Sequence, residues 1–231
     1  MINIHVAGPE WFFGVDASLE AFAALTALLV AFAAYKIYRA TKEKRYGFFA
    51  GIFVLLTLSF AARAIADAFL EEIFDVGKAN LSAPSIFLAG YVTHIILALA
   101  AYIFLIVLTY RITDRRISTL FFLITIPGML VSASYFLSFY GLGAILLAFV
   151  SIAYFQNYRK VGSAASLMVF ISFLLLTLAQ VQFILDIFKK ILYVSAHITQ
   201  AAGYLLLLVA LLKILFKPQD LHEKVKTRHR V

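Results

Sequence analysis

The sequence predicts an all-α polytopic membrane protein: a seven-transmembrane helix bundle with its N-terminus outside and its C-terminus in the cytoplasm. Three observations predict it. First, 64% of the 231 residues are hydrophobic, where a soluble domain has roughly 45–50%. Second, the chain divides into seven apolar runs, each close to the roughly 20 residues needed to cross a bilayer core of about 30 Å. Third, basic residues gather in alternate loops, as the positive-inside rule requires of a chain threaded back and forth.

The elements follow in order. Residues 1–13 carry Glu10 and the only tryptophan, Trp11, which suits an interfacial anchor. This lead has no basic n-region and no small-residue cleavage site, so it reads as no signal peptide. Spans are expected over 13–35, 46–70, 85–110, 117–136, 142–158, 161–188 and 191–216. A basic loop separates the first two, and an acidic loop over 71–84, with Glu72 and Asp75, separates the second from the third. Pro127 should kink span four, and the glycines of 139–143 should make a tight turn before span five. Residues 1–216 form one domain, and 217–231 a basic cytoplasmic tail.

Orientation comes from charge. Lys36, Arg39, Lys42, Lys44, Arg45, Arg111, Arg115, Arg116, Arg159, Lys160, Lys213, Lys217, Lys224, Lys226, Arg228 and Arg230 all fall on one side, 16 of the 20 basic residues. The other side keeps Lys78, Lys189 and Lys190, and Arg63 lies inside a span. Acidic residues lean the opposite way, with Asp16, Glu20, Asp67 and Asp186 in or near the outer half. The net charge of +8 therefore reports topology. It does not imply a nucleic-acid partner, because no basic groove with interleaved aromatics accompanies it. The absence of cysteine excludes disulfides, thiolate metal sites and cysteine nucleophiles. Together with three methionines and few asparagines, it fits a thermophile's avoidance of labile residues.

The informative residues are the polar ones at membrane depth. Tyr193, His197, Gln200 and Tyr204 recur at i, i+4, i+7 and i+11, one stripe of an otherwise apolar helix. Such a stripe must face protein or water, since lipid offers no hydrogen-bond partner. Counting at about 1.5 Å per residue, Glu20, Arg63, His94, Gln180 and His197 reach one level in the outer half, each from a different span. Asp16 with Glu20, and Ser59 with Arg63 and Asp67, repeat at i, i+4. Ionisable groups at such depth cost about 2.5–3.5 kcal/mol each, so they are kept with partners or for a function. Arg63 cannot lose its proton, so a carboxylate of Glu20, Asp16 or Asp67 should pair with it. Asp16, Asp67 and Asp186 otherwise read as wet interfacial groups, and the tyrosines as packing or interfacial belt.

The segment Trp11-Phe-Phe-Gly-Val-Asp16-Ala-Ser-Leu-Glu20, with Tyr35-Lys-Ile-Tyr38 and Lys44-Arg-Tyr46, resembles uncharacterised seven-span membrane proteins of archaea. The stretch His197 to Tyr204 is similar to seven-span sensor modules. Neither resemblance brings known chemistry. The layout is similar to microbial rhodopsins in topology alone, since the middle of the last span has His197, Gln200 and Tyr204 where a retinal lysine should stand. Zinc-dependent seven-span hydrolases need three histidines, and the membrane residues here include two.

Three functions compete. The first is an outward-facing pocket for an ion or small polar ligand, sensor-like or transporting, lined by Glu20, Arg63, Asp67, His94, Gln180, His197 and Gln200. A signalling version would act through a cytoplasmic partner or a homo-oligomer. The second is a redox protein holding haem b between His94 and His197, with Gly90 making room beside His94. The third is a membrane hydrolase with zinc on His94, His197 and a carboxylate. The lipid bilayer is a partner in all three, and nucleic acid in none.

Overall fold

The computed structural model describes residues 9–12, 14–76, 83–130, 132 and 134–216. Segment 77–82, in the expected acidic loop, and the basic tail 217–231 lie outside the described residues. After a single 3-10 turn, Glu10–Phe12, come seven α-helices: α1 (Val15–Thr41), α2 (Lys44–Val76), α3 (Ala83–Thr109), α4 (Arg115–Leu130), α5 (Tyr135–Val161), α6 (Ala164–Leu185) and α7 (Ile191–Phe216). Six of them, all but α4, are long and apolar enough to cross a membrane. Together they make this an integral, multi-pass membrane protein.

The long helices close a ring. α1 lies on α2, α2 on α3, α3 on α5, α5 on α6, α6 on α7, and α7 returns to α1. α4 contacts α3 and α5 from outside, leaving Leu120, Leu123 and Ile124 more than half exposed. The ends of α3, α5 and α7 gather round one cleft with the starts of α2 and α6. α3 and α5 are thus parallel, and α4 carries the chain back along the bundle between them. At 16 residues it rises about 24 Å, shorter than its six neighbours. The expected span over 117–136 therefore ends early, with Pro127 inside its last turns.

The expected turn at 139–143 is helix instead, inside α5. The glycine there serves side-by-side packing: a Cβ on Gly143 would stand 2.8 Å from Gln180 Oε1 on α6. Gly203 does the same for α7 on α6, where a Cβ would meet Leu176 at 2.9 Å. Gly90 lets α3 approach α2, since a Cβ would meet Ala66 Cβ at 2.8 Å and the Ala62 carbonyl at 3.0 Å. Small residues at such crossings are how membrane helices gain close contact without a hydrophobic drive between them.

A buried polar centre on six helices

Each ring helix brings a buried polar side chain to the interior: Glu20 from α1, Arg63 from α2, His94 from α3, Tyr140 from α5, Gln180 from α6, and His197 with Gln200 from α7. The stripe predicted on α7 is its buried face, with Tyr193, His197, Gln200 and Tyr204 all enclosed. Tyr140 and Tyr193 stand in the first two turns of α5 and α7, and Glu20 in the second turn of α1. The centre therefore lies toward the end opposite the basic loops.

Arg63 is its anchor. Its Nε donates to Asp67 Oδ2 at 3.3 Å, one turn along α2, and lies 3.6 Å from Glu20 Oε1 on α1. Nη1 donates to the Tyr140 hydroxyl at 2.7 Å, and Nη2 to that of Tyr193 at 3.0 Å. The Tyr91 ring stacks on the guanidinium at 5.5 Å, a favourable cation–π contact. One guanidinium thus ties α1, α2, α5 and α7 together, and its planar fork is what permits simultaneous bonds in divergent directions. The carboxylate partners are two of the three that the spacing allowed. The two phenols were not expected: tyrosines in apolar helices read as packing, and nothing in sequence spacing linked Tyr140 to Arg63. Asp16, Asp67 and Asp186, expected to be wet, are each under 10% exposed. Asp16 Oδ1 accepts from the backbone N–H of Gly14 and Ala17 at the start of α1, where the helix dipole favours an anion.

The two histidines do different things. Ser59 Oγ donates to the His94 carbonyl at 2.8 Å and accepts from His94 Nδ1 at 2.9 Å. Nδ1 also reaches the Ser59 carbonyl at 3.2 Å. A carbonyl only accepts, so this network assigns the proton to Nδ1, and the imidazole latches α3 to α2. Phe60 and Phe139 enclose its ring. His197 has no such latch. Its Nδ1 lies 3.7 Å from Glu20 Oε1, and its Nε2 is buried without a partner. Its ring is walled by Tyr193, Phe183 and Phe12, with centroids at 4.7, 5.0 and 5.8 Å. Phe12, from the short lead, is buried against it like a stopper, while Trp11 beside it is 65% exposed.

Glu20 Oε2 in the centre is also unsatisfied, as is Gln180 Oε1, which lies on α6 against Gly143 of α5. A buried polar atom with no hydrogen bond costs about 1–3 kcal/mol, so these gaps need an account. Among the described residues, no group of three or more His, Cys, Asp or Glu side chains is placed to hold a metal ion. Gly90, read as room beside His94, is filled by α2.

Fold and centre together define a multi-pass helical membrane protein built round a buried, ion-paired arginine. No known family model, curated protein or solved structure matches the chain. The resemblances of its opening to archaeal seven-span proteins and of its last span to seven-span sensor modules have no counterpart in these comparisons.

Proposed function

We propose that the protein binds an ion or small polar ligand at the Glu20–Arg63–His197 centre, as a sensor-like receptor or a carrier in the cell membrane. One observation carries the reading: Arg63 is already held by four side chains, while Glu20 Oε2 and His197 Nε2 beside it are buried and unpaired. Such a gap suits an occupant that accepts a carboxylate oxygen and an imidazole nitrogen as neighbours. Glu20 and Asp67 both flank Arg63, so two carboxylates meet one guanidinium. That excess favours a small cation or a ligand bearing N–H donors. Phe12 against His197 suits a path in from the near end of the bundle.

The test is unfolding of the purified protein in detergent with sodium, potassium or ammonium, each against N-methylglucamine. At least one should raise the midpoint, and Glu20→Gln should abolish that rise. A wild type indifferent to all of them, and to small polar amines, would contradict the reading.

Seven spans with the N-terminus outside belong to the same proposal. The parallel run of α3 and α5, which obliges α4 to return the chain, supports it, as does the gathering of basic residues at one end. The chain has no native cysteine, so introduced thiols report cleanly. In intact cells Lys190→Cys should react with an impermeant maleimide and Thr41→Cys should not. Equal labelling of both, or the reverse, refutes this topology.

A further inference from the structure

The open cleft of about 800 Å³ lies at the basic end, away from the polar centre. Its rim carries Arg45, Arg111 and Lys213, from three separate parts of the chain, with Glu43 its one acidic residue. Ser163, Ser166 and Asn157 add polar groups at the mouth, whereas Phe49, Leu207 and Leu211 form a buried apolar floor. A cationic rim over an apolar floor, at the level where helices leave the membrane, matches an amphiphile with an anionic head.

A second observation points to the same place. α3 ends in a Schellman motif: Ile112 N–H donates to the Val107 carbonyl at 3.0 Å and Arg111 N–H to that of Leu108 at 3.4 Å. The left-handed residue of that motif is ordinarily glycine, as Gly162 is at the end of α5 with φ 65°. Here it is Arg111, with φ 56°. An unfavourable backbone conformation is thus accepted at a residue that lines the cleft, as it also is at Lys42, with φ 57°, which caps α1 outside the cleft.

We propose that this cleft holds the phosphate head of an anionic membrane lipid, with Arg45, Arg111 and Lys213 around the phosphate and Phe49, Leu207 and Leu211 beneath the start of its chains. Each basic residue near the surface adds to the attraction for an anionic head. The three together therefore give about tenfold or greater selectivity over a zwitterionic head. The lipid would brace the ends of α2, α3 and α7 against one another.

The experiment is native mass spectrometry of the delipidated full chain with dioleoyl phosphatidylglycerol or dioleoyl phosphatidylcholine. Wild type should retain the first and not the second. Combined Arg45→Gln, Arg111→Gly and Lys213→Gln should cut retention about tenfold or more. The control removes the same charge from the same end, outside the cleft, through Arg39→Gln, Arg116→Gln and Lys160→Gln, and should retain the lipid. Equal losses in the two sets would mean a diffuse basic belt and overturn the proposal, as would retention of the zwitterionic lipid. Displacement of the lipid by inorganic phosphate would assign the cleft to a soluble anion and also overturn it. Arg111→Gly alone separates function from folding: it should lower lipid retention while leaving the unfolding midpoint no lower than wild type. Unchanged retention there would refute the role of Arg111.

Discussion

Arg63→Met should destabilise the protein by about 3–5 kcal/mol, the range for breaking a buried ion pair from one side. The change leaves Glu20 and Asp67 enclosed without their cation, and takes the donors from the Tyr140 and Tyr193 hydroxyls. Most of the loss comes from the stranded charges, so neutralising them should restore stability. Arg63→Met with Glu20→Gln should recover roughly half, and adding Asp67→Asn more, giving a coupling well above the roughly 0.5 kcal/mol scatter of independent sites. Reversible unfolding in mixed micelles measures this cycle. A double variant no more stable than the single would mean that Arg63 is solvated rather than paired.

Gly90→Ala is the second large effect, from one added methyl. Its Cβ would stand 2.8 Å from Ala66 Cβ and 3.0 Å from the Ala62 carbonyl. Neither neighbour is a flexible side-chain end, so the two backbones must separate, at about 1–3 kcal/mol for overpacking. The Ser59–His94 hydrogen bonds cross the same seam and should lengthen with it. Ala66→Gly in the same chain removes the closest clash and should recover part of the loss; without that rescue, the close α2–α3 approach is not what Gly90 provides. His94 then belongs to a helix–helix latch, the commonest use of a polar side chain between membrane helices.

The helices were legible because bilayer residence writes itself into hydropathy and loop charge. α7 runs from Ile191 to Phe216 and is one of six helices long and apolar enough to cross a membrane. Glu20, Arg63 and His197 could be set at one level because depth follows from rise per residue, and the structure brings Glu20 within 3.6 Å of Arg63 and 3.7 Å of His197. The rotation of each helix was not legible. That rotation decides that Arg63 meets Tyr140 on α5 and Tyr193 on α7, residues 77 and 130 positions away. Glycine was ambiguous for a related reason: in 139–143 it signals a turn by local propensity, yet tertiary contact uses it to bring α5 against α6. The burial of Asp16, Asp67 and Asp186 was missed because sequence depth marks them as interfacial, while the ring closes over them. Phe12 lies in a lead with no periodicity, so only the folded chain shows it seated on His197.

The central claim is that the open groups beside Arg63 receive a ligand, and the most direct measurement is nitrogen-15 NMR of histidine-labelled protein in bilayers. Of the five histidines, His94 and His197 are assigned by their glutamine variants. Adding the cation or amine that raises the unfolding midpoint should shift the His197 ring-nitrogen signals and leave those of His94, locked to Ser59, where they were. A stabilising ligand that leaves His197 unmoved would contradict the account.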